Sequence, residues 1–283
     1  MNDAELASAP PWSFRVLAGL TRLLPNVRHA SGLSNRIVKP LWCRLHKERY
    51  RVKVWDGIEM ILDPAEGIAG NLAFIPQLFD AWERQTIRDL LPKGGIFVDL
   101  GANIGSYSLW AARQVGPQGR VISFEAEPTN FAALRANIDI NGFRQIRAYN
   151  VGVSDETETL KLRLNPTGNS GGHSFLPGLH GGPGAVEVEV QCEPLAPLLE
   201  RAGVPRVDYM KLDIEGFEQR VLSRFFADLP AGSPLRPKYI LTEMYFGYAT
   251  GHGSLLDTIV SAGYTLERRG KANALFRNTG NAH

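Results

Sequence analysis

The run Phe97-Val98-Asp99-Leu100-Gly101-Ala102-Asn103-Ile104-Gly105-Ser106-Tyr107 sets an acid near the end of an apolar segment and two glycines in the turn after it. Glycines where a strand turns into a helix let the backbone approach a ligand closely. The spacing Gly-x-x-x-Gly lacks the three-glycine dinucleotide fingerprint, which weakens a pyrophosphate reading. Asp99 is also a poor neighbour for phosphate. Its carboxylate suits a cationic ligand, an amino group or a sulfonium, or organises the turn through backbone N–H groups. A second acid, Glu125, ends the next apolar segment in Ser123-Phe124-Glu125-Ala126-Glu127-Pro128. An acid there accepts hydrogen bonds from a ribose diol, or simply caps the following helix; Glu127 reads as first-turn helix chemistry. Acids at consecutive strand tips point to an adenosine ligand with a positive side arm. S-adenosyl-L-methionine fits that description better than a nicotinamide cofactor.

A third group, Lys211-Leu212-Asp213-Ile214-Glu215, closes a later apolar segment. A neutral hydroxyl is a poor nucleophile and needs its proton removed. Asp213 is the first candidate for general base or acceptor anchor, with Glu215 beside it in the turn. Strand alternation puts Lys211 on the same side as Asp213, where it can hold the carboxylate as an ion pair. The alternative is a buried salt bridge with helix-capping acids. Glu243 can pair with Asp213, and paired carboxylates suit a hard cation; no defined ligand pattern is present, and no metal is expected. His173, in Gly171-Gly172-His173-Ser174, is the rival base because imidazole titrates near neutrality. His180 shares its loop. Tyr245 either shapes an acceptor pocket or packs.

The elements that must position these groups alternate. Segments 96–100, 121–124, about 146–153, 207–212 and 239–244 read as strands, with helices at 106–115, 129–140, 216–226 and 253–262 between them. That order implies βαβ units and a parallel sheet with helices on both faces, whose strand ends hold the ligand. Segments 157–164 and 185–192 alternate like paired antiparallel strands, and residues 264–277 close the chain as a hairpin. Between the paired strands, Asn165–Gly184 carries seven Gly and three Pro, the composition of a lid or a disordered loop. Upstream, residues 50–63 turn at Asp56-Gly57 as a hairpin, and Phe79–Leu91 reads as a helix. Residues 14–24 and 33–48 carry apolar residues at helical spacing, with Pro40 expected to kink or split the second stretch.

Hydrophobic residues make up 44% and charged residues 21% of the 283-residue chain, an ordinary soluble composition. No apolar run approaches the ~18 residues of a membrane-spanning helix. The acidic start leads into no apolar core and does not read as a secretory signal. Two cysteines far apart, Cys43 and Cys192, make neither a disulfide framework nor a zinc set and suit a reducing, cytoplasmic setting. Charge is uneven: residues 1–55 hold ten Lys and Arg against three acids, a net of +7, which leaves −5 for the remainder of a +2 chain. The basic arm is either an amphipathic surface for a membrane or anionic substrate, or a pair of helices docked on the body. The domain organisation expected is a basic helical extension over 1–55 and a catalytic domain over 56–283, with its core at 80–277.

The run from Phe97 through Ser106, Phe124-Glu125 with Asn130-Phe131, Asn137 with Asn141-Gly142, and Val153-Ser154-Asp155 resemble the FkbM family of methyltransferases. So does Val207-Asp208-Tyr209-Met210-Lys211-Leu212-Asp213-Ile214-Glu215-Gly216-Phe217-Glu218, which resembles the family's Lys-x-Asp-x-Glu-Gly-x-Glu block. The resemblance covers about residues 80–245. It implies an α/β, class I methyltransferase fold with a seven-stranded, mostly parallel sheet, S-adenosyl-L-methionine as cofactor, and methylation of a hydroxyl oxygen. It also implies that Asp99, Gly101, Asn103 and Gly105 surround the methionine portion, with Ser106 in the same cofactor-binding run. Glu125 would hold the ribose, and Ser154 and Asp155 lie where adenine contacts fall. Ala126 departs from the family's usual proline, a matter of turn geometry. The acceptor expected is a small hydroxylated molecule, a saccharide or glycolipid. Nucleic acid is disfavoured by the acidic body and the lack of a base-clamping motif. Methylation at nitrogen or carboxylate, or a non-catalytic membrane-associated binding module, are the competing readings.

Overall fold

The computed structural model describes residues 7–23, 38–45, 48–165, 173, 175, 186–244 and 254–280. His180, Tyr245 and most of the glycine-rich stretch before residue 186 lie outside the described residues, as do residues 24–37.

Helices α1 (Trp12–Arg22) and α2 (Lys39–Leu45) precede a hairpin of β1 (Tyr50–Lys53) and β2 (Glu59–Leu62). Phe14, Ala18 and Thr21 share one face of α1 and are buried. Phe14 meets Trp42, Tyr50 and Phe74 at ring-centroid separations of 5.3, 5.2 and 5.3 Å. The described parts of the basic arm are therefore docked helices. Pro40 does not kink α2: it sits in the first turn, where its missing N–H costs nothing. The hairpin turns as expected, with Asp56 and Gly57 both at positive φ and the Ile58 N–H donating to the Trp55 carbonyl.

After α3 (Gly67–Phe74) and α4 (Ala81–Leu90) the alternation begins: β3 (Ile96–Leu100), α5 (Ser106–Val115), β4 (Arg120–Phe124), α6 (Pro128–Asn141) and β5 (Ile146–Tyr149). Next come β6 (Gly152–Ser154), β7 (Glu158–Arg163), β8 (Glu187–Pro194), α7 (Leu195–Arg201), β9 (Tyr209–Leu212), α8 (Glu218–Asp228) and β10 (Tyr239–Glu243). The chain ends in α9 (Leu255–Ser261), β11 (Tyr264–Arg269) and β12 (Asn273–Asn278). Seven strands form one sheet in the order β11-β12-β10-β9-β3-β4-β5. The pairs from β10 to β5 are parallel, and β12 runs against both of its neighbours. This is the expected mostly parallel, Rossmann-like methyltransferase sheet. Its strands bury both faces: Phe97, Tyr209 and Leu241 enter one core, and Val98, Met210 and Ile240 the other.

The structure corrects the expected elements in three places. The third strand does not run through residue 153. Asn150 donates its side-chain amide to the Glu125 and Ala126 carbonyls at 2.8 and 3.0 Å, closing the end of β4. The chain then leaves the sheet, and β6 pairs in parallel with β8, which also pairs antiparallel with β7. Helices α3 and α7 were not expected. The first is apolar all round and carries two glycines; the second has seven residues with a proline inside.

Two asparagines of the resemblance have a structural task. Asn137, fully buried on α6, accepts the Ile61 N–H at 2.7 Å and donates to the Ile104 carbonyl at 2.9 Å. Asn141 accepts from and donates to the Glu59 backbone at 2.9 and 2.6 Å. Together they bind the hairpin edge to the glycine turn. Asn137→Ala strands two buried backbone groups, and a loss of about 2–4 kcal/mol is expected in urea unfolding; a loss near zero contradicts this role.

Candidate active site

The glycine turn after β3 must pass close beneath the end of β9. Gly101 has φ +76°, and a Cβ on it would lie 1.9 Å from the Asp213 carbonyl oxygen. The Asp213 N–H in turn donates to the Leu100 carbonyl at 3.0 Å. Glycine is thus what allows the turn after β3 and the Lys211–Glu215 turn to share one wall. Gly105 serves packing instead: its Cβ would meet Leu134 at 2.7 Å, and it does not line the crevice.

The crevice, of about 310 Å³, opens at the carboxyl ends of β3, β4, β9 and β10. That is where doubly wound sheets bind ligands, and the volume is near the lower bound of small-molecule sites. Gly101, Asn103, Ser106, Glu125, His173, Lys211, Asp213 and Glu215 all reach it. Three of the four described non-glycine residues with positive φ, namely Asp80, Asn103 and Glu215, stand in its wall. Such backbone is uncommon for a non-glycine residue, and more so for Glu than for Asp or Asn.

Glu125 is the acid of the expected ribose end. Its Oε2 accepts the Asn103 N–H at 2.7 Å and its Oε1 the Glu127 N–H at 2.9 Å. Each oxygen keeps a second lone pair for a diol. Burial pushes this carboxyl up to about 7, against the pull of the two N–H groups. Glu127 is the N-cap of α6, accepting from Thr129 and Asn130.

Asp99 is fully buried and lies beneath the crevice wall. Its Oδ2 accepts the Ser108 hydroxyl at 2.5 Å, and in the sheet it sits opposite Lys211. Burial raises its carboxyl, with Lys211 and Ser108 opposing. It acts on the crevice through Lys211 rather than by reaching it. Ser154 and Asp155 are likewise off the wall. Ser154 donates to Glu158 at 2.7 Å, and Asp155 is ion-paired with Arg220.

At the end of β9, Lys211 Nζ donates to Asp213 Oδ2 at 2.9 Å and lies 4.4 Å from the centre of the Tyr107 ring. Burial works to lower this ammonium, but Asp213 and Asp99 outweigh it and leave it raised. Glu218 clamps the turn, its carboxylate accepting the Ile214 and Gly216 N–H groups at 2.9 Å each. That clamp aims Glu215 into the crevice. Burial, then Asp213 and Glu243 nearby, push the Glu215 carboxyl up to about 9. Glu215 is therefore a neutral hydrogen-bond donor near pH 7. One oxygen each of Asp213, Glu215 and Glu243 lie within 4.8 Å of one another, a set that could hold a cation.

Asp80 was not singled out in the sequence. It enters from the left-handed N-cap of α4, accepts the Tyr107 hydroxyl at 2.9 Å, and burial raises its carboxyl. A helix-start Asp is a common cap, so its type alone gave no signal. His173 reaches the wall, but its Nδ1 accepts the Asn165 N–H at 2.9 Å. That bond places the proton of a neutral imidazole on Nε2, which suits a donor better than a base.

These residues fit a sulfonium nucleoside. Glu125 offers acceptors to a diol, Phe124, Val151 and Val153 offer an apolar wall for a base, and Asp80 supplies negative charge for the cation.

Residues 99–266 match the family described as Methyltransferase FkbM domain. Methyltransferase sdnD of Sordaria araneosa is 31% identical, over 47% of this chain and 61% of that protein. The 31-O-demethyl-FK506 methyltransferase FkbM of Streptomyces tacrolimicus is 30% identical, over 47% and 60%. The chain thus spans about three fifths of the length of these curated relatives. The crystal structure of methyltransferase FkbM from Methylobacillus flagellatus KT superposes with a TM-score of 0.43 at 15% identity, covering 74% of this chain and 54% of that one. With more than half of its length matched by one family, from β3 to β11, the chain belongs to the FkbM family of S-adenosyl-L-methionine-dependent methyltransferases.

Proposed function

We propose that this chain methylates a hydroxyl oxygen of a small acceptor of the saccharide, glycolipid or related natural-product class. The observation that carries the reading is the Lys211–Asp213 pair at the crevice, with Glu215 beside it in the same wall. S-adenosyl-L-methionine, when bound, supplies an electrophilic methyl group on sulfur. Transfer in line then depends on positioning and on removing the acceptor's proton. Asp213 accepts that proton at the carboxylate oxygen not engaged by Lys211. Lys211 holds the carboxylate in place, and Glu215 donates a hydrogen bond that orients the hydroxyl. The Glu125 carboxylate holds the ribose, and the Gly101 turn brings the two halves together.

The relative named for 31-O-demethyl-FK506 supports an oxygen acceptor, since its name specifies an O-demethylated natural product. Both cysteines are free thiols, which supports a cytoplasmic setting. No described helix is long and apolar enough to cross a membrane.

The test is transfer of a labelled methyl group to a panel of hydroxylated, amine and carboxylate acceptors, with and without chelator. Label in base-stable ether products, undiminished by chelator, is expected. Label confined to amines or esters overturns the oxygen assignment. Loss of transfer on chelation, restored by Mg²⁺, reassigns Asp213, Glu215 and Glu243 as ligands.

A further inference from the structure

Helix α1 buries one face and leaves the other bare. Trp12, Val16, Leu20 and Leu23 are 73, 53, 60 and 80% exposed. Their spacing of four, four and three residues sets them on a single stripe, opposite Phe14, Ala18 and Thr21. On the neighbouring α2, Leu41 is 60% exposed. One exposed leucine needs no explanation; an apolar stripe along a helix does.

The charge carried by this part of the sequence argues for what covers the stripe. Between Glu5 and Glu48 the sequence has no acid, yet it carries Arg15, Arg22, Arg28, Arg36, Lys39, Arg44 and Lys47. On the described helices Arg15 and Arg44 are exposed, while Arg22 is held by the Lys53 carbonyl at 2.7 Å. A second copy of this chain is a poor occupant, because a two-fold contact would bring two arms of net charge +7 together. A cationic amphipathic helix with a tryptophan at its start suits an anionic interface.

We propose that the α1 face docks on an anionic lipid bilayer. Trp12, Val16, Leu20 and Leu23 enter the boundary between headgroups and acyl chains, and Arg15 and Arg44 face lipid phosphates. The opposite, buried face of α1 is tied to the crevice wall. The Thr21 hydroxyl donates to the Phe74 carbonyl at 2.5 Å, and the Gln77 amide donates to the Thr21 carbonyl at 3.1 Å. From there the chain runs directly to Asp80 in the crevice wall. Docking would therefore hold the crevice near the lipid surface. It does not depend on methyl transfer, so either can fail alone.

The test is co-sedimentation of the full chain with phosphatidylcholine vesicles, with and without phosphatidylglycerol. Wild-type protein is expected to pellet with the anionic vesicles only, and less so as salt rises. A Trp12→Ser, Leu20→Ser, Leu23→Ser variant is expected to lose at least about tenfold in partitioning, because each residue contributes apolar insertion. These side chains are exposed, so circular dichroism and S-adenosyl-L-methionine affinity should be unchanged. Failure of wild type to pellet with anionic vesicles, or equal pelleting of the variant, overturns the proposal. So does a concentration-dependent dimer that dissociates in the variant, which would make this face a contact between copies.

Discussion

Asp213→Asn is expected to lower kcat by about 10²–10⁴-fold, the usual contribution of a positioned base. Affinity for S-adenosyl-L-methionine should stay within about twofold, a change of less than ~0.5 kcal/mol. The amide keeps an oxygen for Lys211, and Asp99 still faces that ammonium from the next strand, so folding survives. Thermal melts with and without cofactor check that separation. His173→Ala should cost far less, because its Nδ1 is already taken by the Asn165 N–H. If the histidine variant loses the larger share of kcat while Asp213→Asn keeps it, the base has been placed on the wrong side of the crevice.

The second large effect concerns Glu125. Its carboxyl is pushed up to about 7 by burial, so the free protein holds it mostly protonated at pH 6 and mostly ionised at pH 8. A ribose diol donates two hydrogen bonds and favours the ionised form. Binding below the midpoint must expel a proton, which costs about 1.4 kcal/mol, or tenfold in Kd, per pH unit. Cofactor affinity is therefore expected to rise with pH up to about 7 and then level off. Glu125→Gln should bind about 10–100-fold more weakly at high pH, the loss of charged hydrogen bonds, and its affinity should not vary with pH. Parallel pH profiles for wild type and variant would detach Glu125 from the ribose.

Much of this arrangement is legible in the chain because parallel strands advertise themselves. Val98, Ile122 and Ile240 sit in short apolar runs bounded by glycines or acids, and each run ends where a ligand must lie. Glu125, Lys211 and Asp213 follow from that rule alone. Asp99 follows it only in part. One residue from the end of its strand, it turns its side chain under the sheet's edge toward Ser108, and alternation alone does not say which layer an acid occupies. Ser154 and Asp155 were harder still. Their placement depends on β6 leaving the main sheet, a departure set by the Asn150 contacts and by pairing with β8, some 40 residues later. Asp80 has no place in the sequence reading, and Glu218 enters it only as the last acid of the family block, with no task of its own. Both read as ordinary helix-start acids, and only the left-handed backbone of one and the two accepted N–H groups of the other show that they shape the crevice. Helix α3 shows no amphipathic period because nearly all its faces are covered.

The most direct test of the central claim is a calorimetric titration of the wild-type chain with S-adenosyl-L-methionine above the Glu125 midpoint, with NAD as the control ligand. Saturable one-site binding of the sulfonium nucleoside, and none of NAD, is the result predicted. No binding by demonstrably folded protein, or equal binding of NAD, would contradict the assignment of the Gly101–Glu125 crevice as the methyl-donor site.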